Sequence, residues 1–172
     1  MIHSKSSIVK AASLFSFLFL LLFQTTKAQE AHQHDHLHEN GHEHKHEIGI
    51  ANAPVYFVKE KVFSYGLHLH YIYNFPHTKF GIGLGYERIF DHHQHNTLGL
   101  VASYRPIEPL AVQLSPGITF EGKDFKERSF ALHLETAYEF EFDHFHLGPV
   151  MEVAFDKEDV HISLGIHLGI GF

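Results

Sequence analysis

The amino-acid sequence predicts an all-β protein, an eight-stranded antiparallel up-and-down β-barrel that crosses a membrane. Two observations lead to this fold class. From residue 47 onward, apolar and polar side chains alternate with a period of two residues, which is the period of a β-strand. The alternating runs recur between short turn-like breaks, and phenylalanine concentrates at their ends on the apolar side.

The chain contains eight such runs. In the last one, every apolar residue falls on one side, whereas the other side carries His161, Ser163, His167 and three glycines. Small and polar side chains suit a narrow wet interior, and apolar side chains suit the lipid-facing wall of a barrel. The runs span residues 48–58, 63–75, 80–90, 97–105, 110–120, 130–142, 145–155 and 160–172.

A periplasmic sandwich or a lipocalin-like cup is the alternative, because both also contain alternating strands. In those folds the apolar face points inward, and phenylalanine would be expected near the middle of a strand. Phenylalanines at the strand ends instead predict an aromatic girdle at each membrane interface. These girdle positions are Phe63, Phe75, Phe80, Phe90, Phe120, Phe130, Phe142, Phe145 and Phe155.

The first 28 residues predict a secretory signal peptide. Lys5 and Lys10 precede an apolar run at 11–23, and the segment TTKA ends at Ala28. The apolar run is shorter than the roughly 20 residues that a membrane-spanning helix needs, which favours cleavage over anchoring. We therefore expect a signal peptide at 1–28, a disordered His-rich periplasmic leader at 29–47 and a barrel at 48–172.

Composition excludes several classes of function. The formal net charge is −7 at pH 7 with neutral histidines, and the signal peptide contains only basic charged residues. A negatively charged chain does not suit a nucleic-acid partner. The sequence has no cysteine, so we expect no disulfide framework, no thiolate metal site and no acylated lipoprotein anchor.

These features resemble the small eight-stranded outer-membrane barrel proteins, over residues 48–172. The strand number, the signal peptide, the alternation and the last four residues GIGF, which end on Phe172, carry the resemblance. It implies an outer-membrane location, contact with outer-membrane lipid and recognition of Phe172 by the barrel-assembly machinery. The family includes adhesins, structural anchors and lipid-modifying enzymes, so the resemblance implies no single activity.

The resemblance also implies that both termini lie in the periplasm, because an even number of strands returns the chain to its starting side. The connections at 76–79, 106–109 and 143–144 then face the periplasm. Those at 59–62, 91–96, 121–129 and 156–159 face outward, and all are short and charged. Short loops weaken an adhesin interpretation.

The His-rich leader suggests metal binding. Neutral imidazole binds zinc, copper and nickel, and a flexible chain with ligands at every second residue can wrap one ion with several of them. A solvated, weakly pH-responsive segment without a metal function is the alternative. The candidate ligands in the leader are His32, His34, His36, His38, His42, His44 and His46.

Histidines and carboxylates also fall on the lumen side of the predicted strands. Counting from the hairpin centres predicts three cross-strand rows: Glu135–Glu152–Ser163, His133–Ala154–His161 and, on the other side of the barrel, His68–Glu87. These groups are candidate ligands for a divalent ion. The sequence favours a different interpretation, in which Arg105, the glutamates and the histidines form an internal network within a packed lumen.

One motif suggests an enzyme. HIS at 161–163 resembles the His-x-Ser pairing of the outer-membrane lipid A deacylases, in which histidine activates serine as a nucleophile. By parity, however, His161 and Ser163 face the lumen, whereas chemistry on acyl chains needs them on the lipid side. We therefore predict no catalytic residues.

Taken together, the sequence predicts a non-enzymatic outer-membrane barrel that binds or buffers zinc, copper or nickel through its His-rich N-terminal segment. The alternative is a structural or surface barrel in which histidine supplies only polarity. An eight-stranded barrel is just wide enough for its own side chains, so a general diffusion pore is not expected.

Overall fold

The structure, a computed structural model, describes residues 44–122, 125–157 and 159–172. Over these residues the chain forms β-segments joined by short turns. No helix in this part of the chain is long and apolar enough to cross a bilayer. The segments are β1 (His46–Phe57), β2 (Val62–Asn74), β3 (Phe80–Ile89), β4 (Asn96–Ile107), β5 (Leu110–Glu121), β6 (Glu127–Tyr138), β7 (Phe140–Phe142), β8 (Phe145–Phe155) and β9 (Val160–Gly171).

The segments form one closed antiparallel barrel of eight strands, as the sequence predicts. Consecutive segments pair from β1 to β6, β9 pairs with β1, and the pairing of β6 with β8 closes the sheet. β6 and β7 are one strand of the barrel, interrupted at Glu139. The interruption faces Gly148 and Pro149, and proline has no N–H for the ladder. The N–H of Glu139 donates instead to the carbonyl of Pro109, at 2.7 Å.

The predicted strand boundaries agree with the structure to within two residues, except that β6 begins at Glu127 and not at 130. The first boundary also needs a correction. β1 begins at His46, so His46 and Glu47 belong to the barrel and not to the leader predicted at 29–47. The N–H of His46 donates to the carbonyl of Phe172, at 2.9 Å. The leader itself alternates histidine with other polar residues, which conceals the start of the strand.

The two faces of the barrel wall differ as the alternation predicts. In β9, His161 and His167 are 4% and 0% exposed, whereas Leu164 and Ile166 are 53% and 52% exposed. The same contrast recurs around the wall, where buried histidines and glutamates face the lumen and large apolar side chains face outward. The outer surface is therefore a continuous apolar belt, and closure leaves no unpaired sheet edge.

The predicted girdle positions lie on this outer surface, with one partial exception. Phe120 is half-buried, and the guanidinium carbon of Arg128 lies 5.6 Å from the centroid of its ring. The other eight side chains are exposed: Phe63, Phe75, Phe80, Phe90, Phe130, Phe142, Phe145 and Phe155.

The lumen has two distinct ends. We call the end that carries His46 and Phe172 the terminal end, and the opposite end the loop end. Near the loop end, Val55, Phe57 and Ile89 pack together and are at most 2% exposed. We call these three residues the apolar layer. Within the described strands, Phe57 is the one phenylalanine that is fully buried, and its neighbours here are the apolar side chains of Val55 and Ile89.

Candidate metal centre in the barrel lumen

Four side chains with metal-binding atoms, each from a different strand, meet inside the lumen. They are Glu87 of β3, His133 of β6, Glu152 of β8 and His161 of β9, and we call them the central site. One ligand atom of each lies within 4.8 Å of the ligand atoms of the others. His133 Nδ1 is 3.1 Å from Glu152 Oε1 and 3.6 Å from Glu87 Oε2. Two carboxylates and two imidazoles form a ligand set that suits zinc and similar divalent ions.

Hydrogen bonds within the described residues leave the central site incompletely satisfied. Glu87 Oε2, His133 Nε2 and both ring nitrogens of His161 are buried without a hydrogen-bond partner. Most buried polar atoms in proteins do have a partner, because an unpaired one costs about 1–3 kcal/mol. The central site is therefore a place where a cation would satisfy atoms that the protein does not.

Two further groups extend the central site toward the terminal end. His68 Nδ1 lies 3.1 Å from Glu135 Oε2 and 3.7 Å from Glu152 Oε2. In the described chain, the ion pairs of Glu87, Glu135 and Glu152 all involve imidazoles rather than lysine or arginine. Three buried carboxylates need compensating charge. Either the imidazoles hold protons or a divalent cation supplies that charge.

The space beside these groups fits an ion and excludes an organic ligand. Two cavities of about 10 Å³ each are lined by both His68 and Glu87. The first also reaches Glu135 and Glu152, and the second reaches His133. A cavity of this size accommodates about one water molecule.

The three predicted cross-strand rows are confirmed. Glu135 pairs with Glu152, Glu152 with Ser163, and Ala154 with both His133 and His161. His68 pairs with Glu87, also as predicted.

The His68–Glu87 row lies on β2 and β3, across the barrel from β6 and β8, as predicted. What the prediction lacks is the contact between this row and the other two. The lumen is so narrow that His68 contacts Glu135, and Glu87 contacts His133 and His161. The predicted groups therefore form one continuous cluster.

A second cluster, the terminal-end site, contains Glu47, Glu139, His146 and His167. Arg105 Nη2 donates to Glu47 Oε2 at 2.9 Å, and Arg105 Nη1 donates to Glu139 Oε2. The other oxygen of each carboxylate faces an imidazole: Glu47 Oε1 is 3.4 Å from His146 Nε2, and Glu139 Oε1 is 3.1 Å from His167 Nδ1. Arg105 thus supplies here the charge that the central site lacks, as the predicted internal network requires.

A row of neighbouring imidazole rings connects the two sites, and we call it the imidazole row. The ring centroids of His146 and His167 are 5.2 Å apart, those of His167 and His70 are 5.1 Å apart, and those of His70 and His68 are 5.6 Å apart. Both ring nitrogens of His70 and of His167 lack a hydrogen-bond partner among the described residues.

Glycines on the lumen face make room for these rings. A Cβ atom on Gly49 would lie 2.2 Å from His70 Nε2, and one on Gly169 would lie 1.9 Å from His146 Nε2. At these two positions a glycine on the lumen face leaves room for a large neighbouring ring.

The sequence did not single out the terminal-end site, although it carried a usable signal. His70, Glu139 and His167 share the lumen parity of their strands with the residues that were predicted. Glu47 was assigned to the leader, and His146 lies at the start of the predicted strand 145–155 but was not named as a ligand. Extending the alternation back from residue 48 and reading it to the first residues of 145–155 would have included both.

Most of the leader lies outside the described residues. Five of its seven candidate ligands fall there: His32, His34, His36, His38 and His42. The two leader histidines that are described contact the barrel. The ring of His44 lies 5.0 Å from that of His144. His46 Nδ1 is 2.8 Å from the hydroxyl of Tyr71, and its ring stacks on Phe172 at 5.4 Å. His46 is therefore part of the barrel wall, which corrects its assignment to a flexible chain.

A third polar group lies at the loop end, above the apolar layer. His95 is buried, and its Nδ1 is 2.6 Å from Asp91 Oδ2. Burial alone would lower the pKa of His95, but the hydrogen bond and the charge of Asp91 outweigh it and raise that pKa. Burial likewise opposes ionisation of Asp91, yet its hydrogen bond to His95 holds the pKa of Asp91 below its usual value.

Comparison with known proteins shows similarity in fold without similarity in sequence. No protein-family model and no curated protein sequence matches the chain. The N-terminal β-barrel domain of Pseudomonas aeruginosa OprF matches with a TM-score of 0.53 and 15% identity, over 75% of this chain and 98% of that one. Neisserial surface protein A (NspA) matches with a TM-score of 0.51 and 11% identity, over 74% and 96%.

A third match is Ail, the attachment invasion locus protein of Yersinia pestis, crystallised with the heparin analogue sucrose octasulfate. Its TM-score is 0.52 at 14% identity, over 74% of this chain and 97% of that one. The chain has the fold of the small outer-membrane β-barrels. At these identities the likeness concerns the fold of the barrel and not the residues in its lumen.

The pair formed by His95 and Asp91 generates a prediction about pH. Since the folded pKa of His95 is raised, the pair contributes stability below the ordinary histidine pKa of about 6.5, and this contribution is lost as the pH rises through the raised value. We expect Asp91→Asn to lower the pKa of His95, as measured by NMR titration of the histidine rings. Asp143→Asn, at the terminal end, is the matched control. An unchanged His95 titration in Asp91→Asn would contradict this assignment.

Proposed function

We propose that this chain is an outer-membrane β-barrel that binds or buffers a divalent transition-metal ion, zinc, copper or nickel, inside its lumen. The observation that carries the proposal is the central site, where two carboxylates and two imidazoles meet with buried atoms that no described residue satisfies. Imidazole serves all three metals, so the ligand set does not choose among them.

The outer-membrane location is supported by the outer surface of the barrel and by its fold. A wall of exposed leucine, isoleucine and phenylalanine would be unstable in water but fits hydrocarbon. In the orientation that the family resemblance implies, the terminal end faces the periplasm, outer-membrane lipid surrounds the wall, and the barrel-assembly machinery recognises Phe172.

Charge balance favours a metal at the central site over a purely internal network. At the terminal-end site, Arg105 binds Glu47 and Glu139 and compensates their charge. The described residues provide no such cation beside Glu87, Glu135 and Glu152. A divalent ion at the central site would supply the missing charge and also fill the coordination of the unpaired imidazole nitrogens.

The His-rich leader adds a second, looser capacity for metal. His44, the last histidine before β1, lies at the terminal end beside His144. We propose that His32, His34, His36, His38 and His42 bind further metal ions loosely and with little selectivity.

A binding role is better supported than an enzymatic one. His161 and Ser163, which resemble a deacylase pair, are both buried in the lumen rather than facing lipid. Ser163 lies opposite Glu152, beside cavities too small for an acyl chain. We propose that His161 acts as a metal ligand and that the protein is not an enzyme.

A structural barrel without a metal function is the second candidate. The observation that favours it is the dense packing of the lumen, where the cavities beside the central site measure only about 10 Å³. In that case the imidazoles carry the compensating protons themselves.

Zinc titration of the folded full-length chain in detergent separates these two candidates. We expect tight binding by calorimetry, and we expect Glu152→Gln to weaken the tightest site by at least about tenfold, because it removes a charged ligand. Thr119→Val, which alters a buried lumen hydroxyl outside the central site, is the matched control and should bind like the wild type. Equal affinity of the folded Glu152→Gln variant would refute the luminal site.

The contribution of the leader is tested by changing five of its histidines to serine in the full-length chain: His32, His34, His36, His38 and His42. We expect fewer weakly bound zinc ions per chain, measured by equilibrium dialysis, and an unchanged affinity at the tightest site. If the tightest site disappears with these five histidines, the metal belongs to the leader and not to the lumen.

The membrane-facing wall is tested at Leu84, which is 62% exposed in the middle of β3. Leu84→Arg should make folding into a phospholipid bilayer less favourable by about 2–4 kcal/mol, the cost of arginine at the bilayer midplane. Folding is followed by the gel mobility of unboiled samples across a urea series. Glu108→Arg, in the exposed turn between β4 and β5, is the control. Equal stability of Leu84→Arg and the wild type would exclude a lipid-facing wall.

A further inference from the structure

We infer that metal ions enter and leave the central site only through the terminal end of the lumen. On this inference the terminal-end site and the imidazole row form the route, and the apolar layer closes the loop end. The protein would then hold ions without passing them across the membrane. This inference rests on the proposed function, because it concerns access to the same luminal metal.

The apolar layer separates the central site from the polar groups at the loop end. The ring of Phe57 lies 5.3 Å from the ring of His161 on one side and 5.6 Å from the ring of His95 on the other. Val55 and Ile89 pack beside it, and all three side chains are at most 2% exposed. A hydrated ion crossing beside this layer would lose its water and meet neutral hydroxyls, such as those of Thr97 and Thr119, which already hydrogen-bond to each other at 2.8 Å. Apolar constrictions of this kind block ions in channels.

Ligand atoms on the other side of the central site continue toward the terminal end. His68 contacts Glu135 and Glu152, and these three residues link the central site to His70. His70 Nε2 lies 3.5 Å from Glu47 Oε1, which belongs to the terminal-end site.

Each position along this route offers an atom that has no hydrogen-bond partner among the described residues. Those atoms are Glu135 Oε1, both ring nitrogens of His70 and of His167, Glu47 Oε1, Glu139 Oε1 and His146 Nε2. An ion moving along the route can therefore exchange one protein ligand for the next, as ions do between neighbouring sites in a filter.

Arg105 lies at the terminal-end site, where this route begins. Its guanidinium holds one oxygen of Glu47 and one of Glu139, and it leaves the other oxygen of each carboxylate for the imidazoles. An incoming cation meets the positive charge of Arg105 before it reaches those oxygens. Arg105 should therefore slow loading of the central site, whereas charges at the loop end should have no influence on it.

The test uses the full-length chain in phospholipid vesicles that contain a zinc-sensitive dye, so that a signal requires passage through the whole lumen in either orientation. We expect the wild type to give no zinc entry above protein-free vesicles. Phe57→Ala combined with Ile89→Ala should raise entry by about tenfold or more. Phe90→Ala, which truncates an exposed phenylalanine near the same end, is the control and should behave like the wild type.

Two outcomes would overturn the inference: zinc entry through the wild type, or no increase through a folded variant that lacks Phe57 and Ile89 side chains. A failure of the proposed function is distinguishable, because it appears as absent zinc binding in the separate calorimetric titration of the wild type.

A second measurement keeps the inference testable if the double variant does not fold. Stopped-flow competition with a zinc dye gives the rate at which the central site loads in detergent. Arg105→Gln should raise this rate by about tenfold, and Asp91→Asn, at the loop end, should leave it unchanged. Faster loading in Asp91→Asn but not in Arg105→Gln would place the entrance at the loop end and overturn the inference.

Discussion

The closure of eight strands around a narrow interior is the constraint on which the rest of this structure depends. Closure sends every second side chain into a space just wide enough for side chains. Because the outward positions are apolar, the histidines and glutamates have nowhere else to lie. The lumen is therefore a column of titratable groups whose charges must balance within a few ångströms.

The two luminal clusters meet this requirement in different ways. At the terminal-end site, Arg105 bridges Glu47 and Glu139, so the protein carries its own counter-charge. At the central site and the neighbouring Glu135, the described residues offer only imidazoles to the carboxylates of Glu87, Glu135 and Glu152. A buried ion pair is costly unless its geometry and hydrogen bonds are good, and here several ring nitrogens remain unpaired. This difference makes the central site the better candidate for a bound cation.

Much of the fold follows from the sequence, because the side-chain period of a strand is two and the turns are short. A slip of one residue would turn His133 and Glu135 toward lipid, so the alternation fixes the faces. Counting from the hairpin centres then sufficed to pair Glu135 with Glu152, and His68 with Glu87.

Contacts across the lumen could not be predicted in the same way. They depend on the barrel's diameter and on the stagger of its strands, which no single hairpin contains. The contact of His68 with Glu135, and that of Arg105 with Glu47, join residues from strands that are not neighbours. The start of β1 was missed for a local reason, since the polar leader runs into Glu47 without a break in pattern.

Anomalous diffraction at the zinc absorption edge, from crystals of the zinc-loaded protein, tests the central claim most directly. The account predicts an anomalous peak inside the barrel among Glu87, His133, Glu152 and His161, with ligand distances near the usual 2.0–2.2 Å. A lumen without anomalous density, in crystals whose zinc lies only on the leader or on the outer surface, would contradict it.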